Sequence, residues 1–227
     1  MTLQFHFFDD THGDDTESAT NLLEGFRYKP ALIDKSEEAA LLTRVRTLPF
    51  EEFDFHGYKG KRRVVSFGWQ YEFAGAGRLR KANDVPEFLL PVRAIAASFA
   101  GLAPEAFQHV LVIEYGPGAG IGWHRDKPVF GQVVGVSLLA PCVLRFRRKI
   151  GASANLGPQT LNQSARPHAT EKSGRPKLKT KWERVNVLAE PRAAYHLTGP
   201  ARSEWEHSIL RVDSLRYSIT FRTMVEE

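Results

Sequence analysis

Apolar residues recur along the chain at two periods, and the change from one to the other divides it. Leu41, Leu42, Val45 and Leu48 follow helical spacing behind Asp34, with Glu37 three residues on. That is a capping-box pattern, and it predicts a helix over about 35–47. Phe88, Val92, Ile95 and Phe99 form a second stripe, four, three and four apart. Asp84 and Pro86 announce this helix and Gly101 ends it, while Pro91 predicts a kinked or separate first turn. From residue 110 the period falls to two. Leu111 to Ile113 runs into Tyr115, and Val133–Leu139 and Val143–Phe146 are separated by Pro141. Residues 184–189 and 193–198 repeat the form, and Leu215–Met224 is the clearest strand.

Alternation in that last strand puts Arg216, Ser218, Thr220 and Arg222 on one face and Tyr217, Ile219 and Phe221 on the other. Two inward arginines are costly in an ordinary core. They suit a face that lines a polar cavity holding an anion.

Two stretches break the pattern. Residues 50–75 are dense in aromatics, and Gly60 with the alternation over Val64–Phe73 predicts a hairpin. Its basic cluster (Lys59, Lys61, Arg62, Arg63) interleaves with Phe67, Trp69, Tyr71 and Phe73. Cations for phosphate and flat rings for stacking are what a base-binding surface needs, although such a hairpin can also simply pack. Residues 147–183 lack apolar periodicity and are rich in Ser, Gly, Pro and Lys, so they read as an inserted basic loop. Residues 1–20, polar and acidic after Phe5, Phe7 and Phe8, read as an N-terminal arm. Residues 21–227 then form one domain.

A chain of 227 residues with 42% hydrophobic content supports one sizeable core. The net charge of +5 is local: residues 145–184 hold eleven Lys and Arg against two acids, leaving the remainder at −4. This concentration is either a solvated loop or a nucleic-acid contact. Cys142 is the single cysteine, which excludes an internal disulfide and any multi-cysteine zinc site and fits a reducing compartment. No apolar run approaches transmembrane length, and the start turns acidic too early for a signal peptide. The expectation is a cytoplasmic protein without membrane contact, monomeric.

The chemistry centres on 111–126, LVIEYGPGAGIGWHRD. His124 and Asp126 are two apart, so on a strand start they would project together. An imidazole and a carboxylate make two thirds of the facial two-histidine, one-carboxylate site that leaves positions open on Fe(II). Of eight histidines, His6 and His12 lie in the arm, and His56, His109 and His168 lie far from any matched position. His196 and His207 remain. His207, in SEWEHSIL, stands nine residues before Arg216 and completes the set.

YGPGAGIGWHRD, LTGPARSEWEHSI and RYSITFR together resemble the AlkB family of Fe(II)/2-oxoglutarate-dependent dioxygenases, over about residues 60–224. The resemblance implies a mostly β fold with flanking helices (α+β). Its core would be a double-stranded β-helix, or jelly roll, with N-terminal helices and a nucleotide-recognition-like hairpin. It implies His124, Asp126 and His207 as iron ligands and catalytic centre. It further implies Arg216 on the distal carboxylate of 2-oxoglutarate, Arg222 as the second arginine of the clamp and Tyr115 as a hydrogen-bond partner of that cosubstrate. Ser218 sits inside the same motif. Tyr71, Phe73, Trp69, Trp123 and Arg63 are the implied substrate contacts. O2 would be the second cosubstrate, and alkylated single- or double-stranded DNA or RNA the partner. The implied reaction hydroxylates an N-linked alkyl carbon, which leaves as an aldehyde.

Three positions depart from the better-known repair members. Ile113 and Ser218 stand where those carry asparagine, and Pro128, after Lys127, stands where they carry an acid that contacts the base. The cosubstrate site is thus kept and the base-reading contact altered. Two other readings fit the same residues: a dioxygenase of this chemistry acting on protein or a small metabolite, and a non-catalytic nucleic-acid binding module.

Overall fold

The computed structural model describes residues 23–55, 58–72, 78–150 and 181–225; of 53–55, 58–60, 70–72 and 78–79 it describes the backbone. The arm at 1–20 and residues 151–180 of the basic insert lie outside the described residues. The strands are β1 (Phe26–Lys29), β2 (Glu51–Phe55), β3 (Tyr58–Glu72), β4 (Arg78–Lys81), β5 (Phe107–Tyr115) and β6 (Ile121–His124). They continue with β7 (Phe130–Leu138), β8 (Cys142–Lys149), β9 (Trp182–Ala189), β10 (Ala194–Leu197), β11 (Glu206–Ile209) and β12 (Arg216–Met224). The helices are α1 (Lys35–Val45), α2 (Leu90–Ala100) and the short α3 (Gly199–Ser203).

The helices form where their signals stand. Asp34 accepts from the Glu37 N–H and Glu37 reaches back to the Asp34 N–H, closing the capping box of α1. Pro91 falls in the first turn of α2, where its missing N–H leaves no bond unmade, and a separate 3-10 turn at Glu87–Leu89 precedes it. Gly101 closes α2 in the left-handed region, at φ 72°.

Two antiparallel sheets face each other. The larger runs β1-β10-β7-β12-β5-β3-β2, with β4 on β3, and the smaller runs β6-β11-β8-β9. Because side chains alternate, each strand of the large sheet feeds two cores. Val112, Val136, Ile219 and Phe221 pack outward against Leu41 and Val45 of α1 and Val92 and Ala96 of α2. Phe26, Ile113 and Val133 pack inward against Leu144, Phe146, Val187 and Ile209 of the small sheet. This is the expected jelly roll with flanking helices. β12 lies between β5 and β7, so both its faces are buried, and its polar face points between the sheets.

Two local expectations change. β2 ends at Phe55 and β3 begins at Tyr58, the two paired, so Gly60 is inside β3 rather than at the turn. β3 then runs on through Glu72 to pair with both β5 and β4. The insert is also shorter than 147–183: Arg147–Lys149 extend β8 and Trp182–Glu183 begin β9, since these residues pair across the ladder.

Glu38 is the main polar tie between α1 and the sheets. Its carboxylate accepts from the Leu139 N–H and from Arg192 Nη1, both at 2.9 Å. Leu139 and Arg192 both hold positive φ, 74° and 68°, so one buried carboxylate anchors two strained turns. Glu38→Ala leaves a partly buried guanidinium unpaired and is expected to cost about 3 kcal/mol. The check is urea-denaturation stability beside Leu210→Ala, an exposed control expected to change little.

Candidate active site

The small sheet presents two of the three sequence-selected ligands. In the β6–β11 ladder His124 pairs with His207 and Ile121 with Ile209, so β6 spends three steps where β11 spends two. That irregularity turns both Ile121 and His124 toward the interior and leaves Trp123 on the outer surface. His124 is the last residue of β6 and Asp126 lies beyond it. The pair is therefore brought together by the strand end rather than by one strand face. One ligand atom from each of His124, Asp126 and His207 falls within 4.8 Å of the others. His207 Nε2 is 4.0 Å from Asp126 Oδ2, and the two imidazole centroids are 4.2 Å apart.

The protonation states suit ligation. Burial pushes His207 down to about 3 and also lowers His124. Both rings are then neutral. His124 Nδ1 lies 2.9 Å from the Gly122 carbonyl, which fixes the proton there and leaves Nε2 free for a metal. Burial alone would raise the Asp126 carboxyl. The guanidinium charges, Arg222 foremost and Arg202 with it, outweigh it and hold the group ionised, well below the usual range. Two neutral imidazoles and one carboxylate are the donor set of a facial Fe(II) site.

Behind the triad runs a polar row on the inner face of the large sheet. Arg62, Tyr115 and Arg216 are in register across β3, β5 and β12. Arg216, 1% exposed, lies over the Tyr115 ring at 4.8 Å, and its Nη2 donates to Ser137 Oγ at 3.2 Å. Its Nε and Nη1 are buried without a partner. Unpaired guanidinium nitrogens in a core call for an anion, and a dicarboxylate that also reaches the triad meets that need. At the other end of β12, Arg222 Nη2 donates to Asp126 Oδ1 at 3.1 Å. Ser218 is buried in the same row, opposite Ser137.

The sequence-selected substrate contacts fare differently. Arg63 points to the opposite face, where it pairs with Glu114 at 2.7 Å and lies over Phe50. Its neighbour Arg62 takes the inner position. Trp123 is on the outer face of the small sheet under Arg145 and Arg147. Trp69 is exposed on β3, Tyr71 is described in its backbone alone, opposite Leu79, and Phe73 lies outside the described residues.

Four inner residues escaped the sequence reading. His109, paired across from Arg222, accepts from Arg222 Nη1 at 3.4 Å and packs on Phe130. It shares a strand face with Tyr115, and that parity was its available signal. Ser137 and Tyr195 likewise alternate inward. The Tyr195 ring fills the space a side chain at Gly135 would occupy, and burial pushes its phenol up. Arg202 of α3 donates to the Lys127 and Phe130 carbonyls at 2.5 and 2.6 Å, pinning the segment after Asp126. Nothing in the sequence marked Arg202, whose role depends on where α3 docks.

Comparison with known proteins gives the family. The model of the 2OG-Fe(II) oxygenase superfamily matches residues 25–222. The zebrafish "Probable RNA/DNA demethylase ALKBH6" is 28% identical over 134 residues, covering 59% of this chain and 54% of the relative. The Arabidopsis thaliana "Alkylated DNA repair protein ALKBH8 homolog" is 22% identical over 222 residues, covering 88% and 58%. The chain thus spans little more than half the length of these relatives. Among solved structures, OsALKBH1 superposes with a TM-score of 0.56 at 15% identity, over 88% of this chain and 98% of that one, a likeness of fold. No helix among the described residues is long and apolar enough to cross a membrane.

His109, His196 and His207 are all buried neutral, pushed down by burial to about 3, 4 and 3. When the chain unfolds, each regains an ordinary value near 6.5. Between those values the unfolded state binds more protons, so stability is full above pH 6.5 and lost as pH falls toward about 3. Melting temperatures of the metal-free protein are expected to be level from pH 8 to 7 and to drop progressively below 6.5. His109→Leu is expected to make that drop shallower.

Proposed function

The chain belongs to the 2OG-Fe(II) oxygenase superfamily, and on that premise we propose that it oxidatively dealkylates bases in DNA or RNA. It is an AlkB-type dioxygenase that uses Fe(II) and 2-oxoglutarate. The observation that carries the site assignment is the buried Arg216, two of whose nitrogens lack partners on a face shared with the triad's neighbours. When bound, iron with 2-oxoglutarate and O2 would supply hydroxylation of a C–H bond, one oxygen atom going to the carbon and the other to succinate as CO2 leaves.

In this reading the chain's own residues divide the work. His124, Asp126 and His207 would hold the metal. Arg216 grips the distal carboxylate, with Tyr115 beneath it and Ser137 and Ser218 alongside. Arg222 keeps Asp126 ionised and aimed, and His109 steadies Arg222 from behind. Tyr195 and Phe146 close the floor against water. An alkylated base is extruded to reach this interior, because chemistry on a stacked base is otherwise out of range. Hydroxylation on the N-linked alkyl carbon gives a hemiaminal that releases an aldehyde and restores the base.

The nucleic-acid substrate is supported by the RNA/DNA demethylase and DNA-repair names of the two relatives and by the basic, aromatic sequence of β3 and β4. Exposed Trp69 on that hairpin offers a flat ring for a base.

With manganese in place of iron, Arg216→Met is expected to weaken 2-oxoglutarate binding by more than thirtyfold, about 2 kcal/mol, measured by calorimetry. Asp126→Ala is expected to abolish metal binding and turnover, and retained turnover would sink the site assignment. Substrate is read by incubating methylated and exocyclic-adduct oligonucleotides, single- and double-stranded, with iron and 2-oxoglutarate and weighing the products. Mass loss on none of them, with succinate still formed on a peptide or metabolite, would move the chain to that substrate class.

A further inference from the structure

The outer face of the small sheet carries a ladder that the active site does not use. Its order is Arg145, Trp123, Arg147, Trp182, Lys149. The Arg145 and Arg147 guanidinium carbons lie 4.8 and 4.4 Å from the Trp123 ring centroid. Arg147 also lies 4.2 Å from the Trp182 centroid, and Lys149 Nζ lies 5.6 Å from it. Strand parity explains the row. Cys142, Leu144 and Phe146 of β8 point into the core, so Arg145, Arg147 and Lys149 point out. Arg184 of β9 is directly opposite Arg147 and exposed, and Trp182 is two residues before it on the same face.

The cations on this face outnumber the acids. Arg147 pairs with Glu206 at 2.6 Å, and Arg145 donates to Ser208 Oγ at 3.0 Å. Among the described residues no carboxylate pairs with Arg145, Lys149 or Arg184. Partial burial, with the Arg147 and Arg184 charges beside it, pushes the Arg145 guanidinium below its ordinary value. The adjoining Arg148 shows the contrast: it is neutralised by Glu183 and Glu204, at 3.0 and 2.9 Å. A ladder built only to brace the sheet would gain from such acids. One left in excess of positive charge gains from an anion instead.

We propose that this outer face binds the sugar-phosphate backbone and bases of a single-stranded nucleic acid flanking the reactive base, an inference that rests on the nucleic-acid reading above. Phosphates neutralise Arg145, Arg184 and Lys149, and unpaired bases stack on the alternating indole and guanidinium planes. A duplex hides its base faces and meets only half of this surface. Trp123, the second rung of the ladder, is one residue from His124, so a strand with one base at the triad has a short path onto it.

The test uses the full chain and a fluorescein-labelled 20-mer of oligo-dT. Arg145→Ser/Arg184→Ser is expected to weaken binding at least tenfold and to lower the slope of log affinity against log salt by about 1.4, two phosphates' worth for a single strand. Arg145→Lys/Arg184→Lys is expected to restore that slope. Trp182→Ser is expected to weaken binding with the slope unchanged, as stacking loss requires. Arg44→Ser/Arg46→Ser, on the helix side of the molecule, removes equal charge and is expected to leave binding near wild type. Unchanged affinity in both the arginine pair and Trp182→Ser would overturn the proposal. So would an equal loss in the Arg44/Arg46 control, no binding of the 20-mer by the wild-type chain, or equally tight binding of poly-glutamate, which would assign the face to an acidic protein. Failure of the dealkylation reading shows separately, as absent product mass from every alkylated oligonucleotide.

Discussion

Two guanidinium groups must stay charged between two packed sheets, and the rest of the molecule is arranged around that requirement. Arg216 and Arg222 are 1% and 9% exposed on one strand, six residues apart on the same face. Neither can be neutralised by losing a proton, so each needs partners in place. Arg222 has Asp126 and His109. Arg216 has one hydroxyl, an aromatic face and two unsatisfied nitrogens. Arg222, whose Nε alone lacks a partner, is anchored at two points, whereas Arg216 keeps more of its donors unmet. Their strand is also the most enclosed position available, flanked by β5 and β7 and covered on both faces. A rigid strand is what allows a buried charge to be presented at a fixed place.

Asp126 then serves two masters. It is the counter-ion that Arg222 needs, and it is the one anionic member of the candidate metal set. Its second oxygen faces His207, so holding a cation there leaves the first oxygen on Arg222. Because Asp126 sits past the end of β6, its position depends on the segment that follows. Arg202 supplies that support by donating to two carbonyls of the segment. The carboxylate is thus fixed from the large sheet by Arg222 and from α3 by Arg202. This is why a loop residue can share a site with two strand residues.

The jelly roll and its inner face were legible in the sequence because alternation is a strong and local signal. RYSITFR separates cleanly into a polar and an apolar face, and both appear where the period puts them. The same alternation, applied to β3 and β5, would have chosen Arg62 over Arg63 and brought His109 in beside Tyr115. Both were missed because alternation says which side chains share a face, and only the neighbouring strands say which face turns inward. The β6 irregularity was illegible in principle: His124 and Trp123 exchange faces through a step in the ladder with β11, some eighty residues away. Arg202 and Ser137 acquire their meaning only when α3 and β7 meet the site.

The segment after Asp126 bears on how a base would be read. Pro128 offers no backbone N–H and no carboxylate, and the carbonyls of Lys127 and Phe130 on either side are taken by Arg202. An acid at position 128 would add a second carboxylate two residues from Asp126, in the segment that Arg202 holds. With proline there, Asp126 is the one carboxylate of that segment, and position 128 offers no polar contact to a base edge. Under the dealkylation reading, discrimination must then come from stacking and shape, which the exposed Trp69 of the hairpin can supply. Stacking tolerates many bases where a carboxylate would select those with a donor edge. Under that reading, a loop without base-edge contact leaves the choice of base to stacking and shape.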